Sequence, residues 1–214
     1  MPTTSRSEKL RRYWDKQSAG YDRKMSLAER KFFAGTREWV CGKASGEVLE
    51  VAIGTGLNIG RYPGGVKLTG MDFSPDMLEL ARVRAAELGR DIELRTGDAQ
   101  RLEFADASFD TVLCTFGLCA VPDDEQAVAE MVRVLRPGGL LLLADHVVST
   151  SGWVRAIQAL IEIVTVRTAD EHFRRRPVRH VEAAGLSIEH HDRFKKGIVE
   201  RVAARKPQRP LEQP

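Results

Sequence analysis

From Glu8 to about Cys41, large side chains recur at helical spacing: Leu10, Tyr13, Trp14 and Gln17, then Met25, Leu27, Phe32, Phe33 and Trp39. This pattern predicts helices capping whatever follows. Past Gly46 the period changes. Val48, Leu49, Val51 and Ile53 form a short apolar run that breaks into Gly54-Thr55-Gly56, which reads as a buried strand entering a tight turn. A second strand, Val66 to Asp72, ends on an acid. Ser74-Pro75-Asp76 then supplies an N-cap, a proline at the first helical position and an acid in the first turn, so a helix through Met77, Leu78, Leu80 and Ala81 is expected.

Ile92 to Thr96 alternates as a strand and stops at Gly97-Asp98, and Phe109 to Phe116 reads as another buried strand. Glu125 to Leu135 is an amphipathic helix that Arg136-Pro137-Gly138-Gly139 should close, before an apolar strand from Leu140 to Ala144. Alternating strands and helices at this spacing predict an α/β, doubly wound, mostly parallel sheet with helices on both faces. Beyond Asp145 the reading is an apolar helix from Trp153 to Val166, a basic helix from Glu171 to Ala184 ending at Gly185, and two strands, Leu186 to Phe194 and Gly197 to Ala204. These strands form an antiparallel C-terminal hairpin about Lys195-Lys196. The expected organisation is a helical lid over 1–45, a ligand-binding core over 46–205 and a polar tail over 206–214.

Composition narrows the class. A chain of 214 residues with 43% hydrophobic content fills one core. It holds no uninterrupted run of 18 apolar residues, and charges fill the amino-terminal stretch where a signal peptide would be apolar, so a cytoplasmic location is expected. Cys41, Cys114 and Cys119 match neither a disulfide framework nor a zinc spacing; they read as reduced thiols, and no metal is expected. The net charge of +3 conceals basic ends: residues 1–31 hold nine Lys/Arg against four Asp/Glu, 167–209 hold twelve against six, and 32–166 hold twelve against nineteen. Basic ends can meet nucleic acid, anionic lipid or an anionic substrate, although mixed-sign surfaces more often serve as solvated helix faces.

In an open parallel sheet, ligands bind beyond the carboxyl ends of the strands, where strand order reverses. Each loop there bears a signal. Gly54 and Gly56 let backbone approach a ligand, and the helix expected after them would offer free N–H groups to an anion. Asp72 is placed to accept hydrogen bonds from ribose hydroxyls, and Asp98 from an exocyclic amine. Taken singly, a glycine pair is often only a turn, Asp72 can cap the helix at Ser74, and Asp98 can belong to an ordinary turn. All three in chain order, each after a strand, favour one nucleoside site.

The matching text is Val48-Leu49-Glu50-Val51-Ala52-Ile53-Gly54-Thr55-Gly56, Gly70 to Leu78, Gly97-Asp98-Ala99, Ser108-Phe109-Asp110 and Arg133 to Gly139. In these segments the chain resembles the class I S-adenosylmethionine-dependent methyltransferases, above all the type 11 branch of quinone-ring, phospholipid-amine and alkyl-thiol methylating enzymes. The likeness covers about residues 8–205 and is specific for the superfamily, not for the acceptor. It implies a Rossmann-like seven-stranded sheet, S-adenosylmethionine as cofactor and S-adenosylhomocysteine as product. It implies a cofactor shell of Tyr21, Ala52, Gly54, Thr55, Gly56, Asn58, Asp72, Phe73, Ser74, Met77, Asp98, Ala99, Gln100, Thr115 and Phe116. Asp72 would hold the ribose, Phe73 and Met77 pack around the nucleoside, Asp98 and Ala99 meet the adenine, Thr115 and Phe116 lie under the sulfonium, and Tyr21 reach in from the lid. Ala52 departs from the family's usual glycine.

Methyl transfer from a sulfonium needs alignment in a dry site more than a catalytic triad. A general base matters where the acceptor loses a proton, and His146 with Asp145 beside it is the best placed candidate, against the alternative of a histidine that merely bonds a loop. Cys119 either lines the acceptor pocket or fills core. Trp153, Ile157, Ile161 and Val164 share one helical face, which suits either a hydrophobic, lipid-like acceptor or plain core packing. Arg174 to Arg176 are candidates for a phosphate or headgroup, which keeps a transient membrane-surface contact open. His190 and His191, adjacent on a strand, point to opposite faces and make a poor metal site.

A small-molecule acceptor is the expected partner; oligomeric state is not legible. A nicotinamide-dependent oxidoreductase is the runner-up, but its fingerprint wants a third glycine where Ile59 stands. A cofactor-binding regulatory module without turnover is the other alternative. Nucleic acid is disfavoured, because Thr115-Phe116-Gly117-Leu118 stands where a base-holding Asn-Pro-Pro-Tyr motif would be.

Overall fold

A computed structural model describes residues 6–28, 33 and 35–208. Its elements in chain order are α1 (Arg6–Ala28), α2 (Thr36–Cys41), β1 (Glu47–Val51), β2 (Lys67–Asp72), α3 (Pro75–Glu87), β3 (Ile92–Thr96), β4 (Phe109–Thr115), α4 (Asp124–Val134), β5 (Leu135–His146), α5 (Gly152–Ala169), α6 (Pro177–Ala183), β6 (Ser187–Phe194) and β7 (Val199–Arg205). The seven strands form one sheet in the order β3-β2-β1-β4-β5-β7-β6. β1 pairs parallel with both β2 and β4, and β7 runs antiparallel between β5 and β6. The doubly wound, mostly parallel sheet with an antiparallel C-terminal hairpin is therefore as the sequence pattern predicts.

The apolar runs become strands buried on both faces. Val48, Leu68, Leu113 and Leu142 pack under α2 and α3, while Leu49, Val51, Val112, Leu141 and Leu143 pack under α4 and α6. Each such side chain removed from water stabilises the fold by roughly 1.5–3 kcal/mol. Strand order reverses between β1 and β4, so the crevice lies beyond their carboxyl ends. All three cysteines are buried free thiols, and among the described residues no helix is long and apolar enough to cross a membrane.

Local sequence explains the boundaries. Ser74 caps α3 by accepting a hydrogen bond from Met77 N at 3.2 Å, with Pro75 at the first position. Asp123 caps α4 by accepting from Gln126 N at 2.9 Å. Three expectations need correction. No α-helix follows β1: only a 3-10 turn, Ile59–Arg61, fits between Gly56 and Pro63, because Gly60 lies inside a stretch too short to nucleate a helix. Arg136-Pro137-Gly138-Gly139 does not precede the fifth strand but forms its start, absorbed by a register shift against β4 between Phe109 and Thr111. The basic helix is only Pro177–Ala183, since Pro177 lacks the N–H that a helix interior needs and serves as its first residue instead. Lys206, where a tail is expected to begin, is anchored by donating to Val132 O at 2.6 Å and Leu135 O at 2.7 Å; residues 209–214 of that stretch lie outside the described residues.

Helix α1 crosses the carboxyl edge of the sheet and packs against α3 and α5. Ser74 Oγ donates to Asp15 Oδ1 at 2.5 Å and Thr55 Oγ1 donates to Asp22 Oδ1 at 2.6 Å. Arg84 of α3 also reaches Asp22 and the Thr55 carbonyl. These contacts tie the lid to the glycine turn and to the α3 N-terminus, both of which border the crevice.

Candidate functional site

The loops after β1, β2, β3 and β4 meet in one cleft of about 800 Å³ including its open mouth. Ala52, Gly54, Asp72, Phe73, Met77, Asp98, Ala99, Gln100 and Phe116 line it, and Tyr21 joins Leu10 and Trp14 in the roof supplied by α1. Ten of the fifteen residues expected around a cofactor are thus brought together there. Gly54 has φ +58°, and a Cβ built on it meets nothing within 4 Å, so its backbone borders open cleft. Asp72 accepts from Gly54 N at 2.8 Å through one oxygen and from Ser74 N at 2.9 Å through the other. A carboxylate oxygen takes two hydrogen bonds, so each keeps capacity for a ligand hydroxyl. Burial pushes the Asp72 carboxyl up to about 6, against the pull of those backbone donors. Asp98 accepts from Gln100 N at 2.9 Å, and the Gln100 side-chain amide bridges both its oxygens at 2.9 and 3.1 Å.

The other five residues lie behind the cleft wall. Thr55 and Ser74 hold the lid through Asp22 and Asp15. Gly56 packs on Ile59 and Ala81, with a built Cβ only 2.4 Å from Ile59 Cδ1. Asn58 and Thr115 enter a buried polar network: Asn58 Nδ2 donates to Glu50 Oε1 at 2.7 Å and to Thr115 Oγ1 at 3.2 Å, while Arg37 donates to Asn58 Oδ1 at 3.0 Å. Tyr62 completes it by donating to Glu50 Oε2 at 2.6 Å. Burial pushes Glu50 up to about 7, and the network fixes β1 beneath the glycine turn.

Ala52 takes φ +57°, a left-handed conformation that costs a non-glycine residue roughly 1–2 kcal/mol. Its methyl is accommodated because residue 117 is glycine: a Cβ built at Gly117 falls 2.7 Å from Ala52 Cβ and 2.9 Å from Cys114 Sγ. Gly117→Ala should therefore destabilise the protein by about 1–3 kcal/mol in urea unfolding, and Ala52→Gly should recover part of that loss in the double variant. Equal losses with and without Ala52→Gly would rule out this pairing.

Phe116, also left-handed at φ +55°, is the partition between two spaces. One side of it lines the cleft. It also packs on Phe33 at 4.4 Å and His146 at 5.0 Å between ring centroids, and these two line a second, apolar groove with Trp153, Ile157, Ile161 and Phe173. His146 is held rather than loose: Asp145 accepts from His146 N at 2.7 Å and from Cys119 N at 3.0 Å. The ring packs edge-on to Phe33 and Phe173. A thiol, a carboxylate and an imidazole come within 4.8 Å of one another at Cys119, Asp145 and His146. Burial pushes the Cys119 thiol up, however, away from the thiolate a metal would want.

Sequence reasoning missed Glu171, a carboxyl within electrostatic reach of His146 and Asp145 that burial pushes up. Nothing near it in the chain marks it, because it lies on the irregular stretch before Pro177. It also missed Leu10 and Trp14 as lining, although their spacing with Tyr21 puts all three on one face of α1. The three arginines that are headgroup candidates each have partners within the chain, Arg174 while half-exposed. Arg174 pairs with Glu162 and Arg176 with Glu200. Arg175 donates to Leu118 O and Pro122 O at 3.0 and 2.9 Å, bracing the loop that closes the cleft after β4. His190 packs on Trp39 and His191 on Glu200.

The architecture is an α/β doubly wound sheet with a cleft beyond the carboxyl ends of its strands. Residues 49–143 match a family model described as "Methyltransferase domain". A demethylmenaquinone methyltransferase of Listeria monocytogenes serotype 4a is 35% identical over 175 residues, 76% of this chain and 73% of that protein. A phosphatidylethanolamine N-methyltransferase of Cereibacter sphaeroides is 43% identical over 115 residues; the match spans 53% of this chain and only 57% of that relative's length. In fold, the chain is similar to a solved S-adenosylmethionine-dependent methyltransferase of Thermotoga maritima, with TM-score 0.68 and 22% identity over 91% of this chain and 99% of that one. The chain belongs to the methyltransferase-domain family of S-adenosylmethionine-dependent enzymes.

Proposed function

We propose that this chain transfers a methyl group from S-adenosylmethionine to a hydrophobic acceptor, a quinol ring or a lipid amine, that enters from the apolar groove. The observation that carries this reading is the single aromatic partition: Phe116 lines the cleft on one side and touches the groove-lining Phe33 and His146 on the other. The relatives named above act on acceptors of this kind by their own descriptions. When bound, the cofactor supplies an electrophilic methyl on a cationic sulfur; the protein has to orient it and keep water away.

The residues fit that group. Asp72 offers free acceptor capacity for ribose hydroxyls, Gly54 leaves room for the methionine end, and Met77, Phe73 and Leu10 provide apolar cover. Tyr21 and Trp14 close the roof. At the acceptor side, His146 would take the proton that a phenol or ammonium releases, with Asp145 fixing the backbone on which it stands. A nicotinamide dinucleotide fits less well. Ile59 is fully buried where its fingerprint needs glycine, and the 3-10 turn after β1 presents no α-helix N-terminus for a pyrophosphate.

A tritiated-methyl assay tests the reading with a reduced demethylated naphthoquinol and with phosphatidylethanolamine as acceptors. Transfer of label into either lipid fraction is the expected result. Label in neither, from protein that binds the cofactor, would leave the regulatory alternative standing in its place.

A further inference from the structure

Helix α5 is built inside out. Its buried positions include the polar Gln158 and Glu162: Gln158 donates to Val147 O at 2.9 Å and accepts from Ser149 N at 2.8 Å, and Glu162 accepts from Arg174 N at 2.8 Å. Its large apolar side chains face outward instead. Trp153 is 59% exposed, Leu160 67%, Ile163 52% and Val164 61%, on a helix of 18 residues. Water does not favour such a face, and a contiguous apolar patch of this kind marks a docking surface. The sequence stripe at Trp153, Ile157, Ile161 and Val164 is thus exposed, where core packing was the alternative.

The charges beside this face select the occupant. Glu162 is the only acid of α5, and it is buried and paired with Arg174. The exposed ions are cationic: Arg167, two turns beyond Leu160, and Lys195 and Lys196 of the β6–β7 turn, with the Lys196 ammonium 4.3 Å over the Trp153 ring. An apolar helix face with a tryptophan at one end and a cationic rim is the combination that lies in a lipid headgroup layer. The groove continues from it: Trp153, Ile157 and Ile161 line the same space as His146, with about 1360 Å³ of room including its open side.

We propose that α5 and the β6–β7 turn dock this protein on an anionic membrane surface, so that the groove receives its acceptor directly from the lipid. The loading route rests on the acceptor reading above; the docking itself does not. The full chain should float with vesicles of equimolar phosphatidylglycerol and phosphatidylcholine and not with phosphatidylcholine alone, and high salt should weaken the association. Leu160 and Val164 lie outside the groove lining, so Leu160→Glu/Val164→Glu should reduce vesicle binding by about tenfold or more while leaving S-adenosylmethionine affinity unchanged by calorimetry. Equal vesicle binding by variant and parent, or none by the parent, would overturn the proposal. So would light scattering that shows a dimer which the variant converts to monomer, since a second copy would then cover the face. Parent protein that binds vesicles but transfers no label to either acceptor would instead count against the acceptor reading alone.

Discussion

Asp72→Ala should lower the affinity for S-adenosylmethionine by roughly a hundredfold, read by titration calorimetry. The carboxylate ends β2 beside the glycine turn, and each oxygen already accepts one backbone N–H at 2.8 or 2.9 Å while keeping room for another donor. Two hydrogen bonds to a charged acceptor contribute about 1.5–3 kcal/mol each, and losing about 3 kcal/mol in all is a change of roughly two decades. The fold should survive, with a lowered Tm, because the partners lost are backbone amides at the cleft, those of Gly54 and Ser74 among them. Unchanged affinity would show that the ribose contact lies elsewhere. The pH dependence has a definite sign. Burial raises this carboxyl to about 6 from 3.8, so the folded protein favours the protonated form. Its contribution to stability is present below about 3.8 and lost as pH rises through about 6, with Glu50 acting in the same direction up to about 7. Cofactor binding runs the other way, since hydroxyl donors need the ionised acid. Affinity should weaken as pH falls through about 6, and Asp72→Asn should remove that slope.

His146→Ala should lower kcat by about a hundredfold or more on an acceptor that releases a proton, with cofactor affinity unchanged. General-base catalysis contributes typically about 10²–10⁴-fold, and His146 is the titratable side chain on the groove side of Phe116 whose ring packs on that partition. A purely structural role would look different: loss of a ring packed on Phe33, Phe116 and Phe173 would lower kcat by the same factor at every pH. His146→Gln should retain stability and lose the acid limb of the rate profile, where protonation of the base slows the parent. An unaltered kcat in both variants would remove His146 from the chemistry. The Glu171 carboxyl lies within electrostatic reach of the same imidazole, so Glu171→Gln is expected to shift the pH profile of kcat while sparing the cofactor.

The sheet was legible because buried parallel strands read as apolar runs, and each of the first four ends on a glycine or acid signal. The Ser74-Pro75-Asp76 cap was legible for the same reason: its chemistry is local, and the observed Ser74 to Met77 bond uses only neighbours in the chain. What the sequence left open depends on distant partners. Asn58 and Thr115 have the residue types of ligand contacts, yet Glu50 and Arg37, far apart in the chain, draw them into the wall. The strain at Ala52 makes sense only beside Gly117, 65 residues away by number. The stripe on α5 was visible from its period, but period does not say which face meets solvent; Gln158 and Glu162 decide it by finding backbone and arginine partners inside. A helix after β1 was expected from the general βαβ pattern, and Gly60 and Pro63 were the local signals against it.

The most direct test is calorimetric titration of the full chain with S-adenosylhomocysteine and, separately, with a nicotinamide dinucleotide. The expected result is a single saturable site for the first, abolished or weakened about a hundredfold by Asp72→Ala, and no heat from the second. Binding of the dinucleotide, or no binding of the sulfur nucleoside, would contradict the assignment of the strand-end cleft.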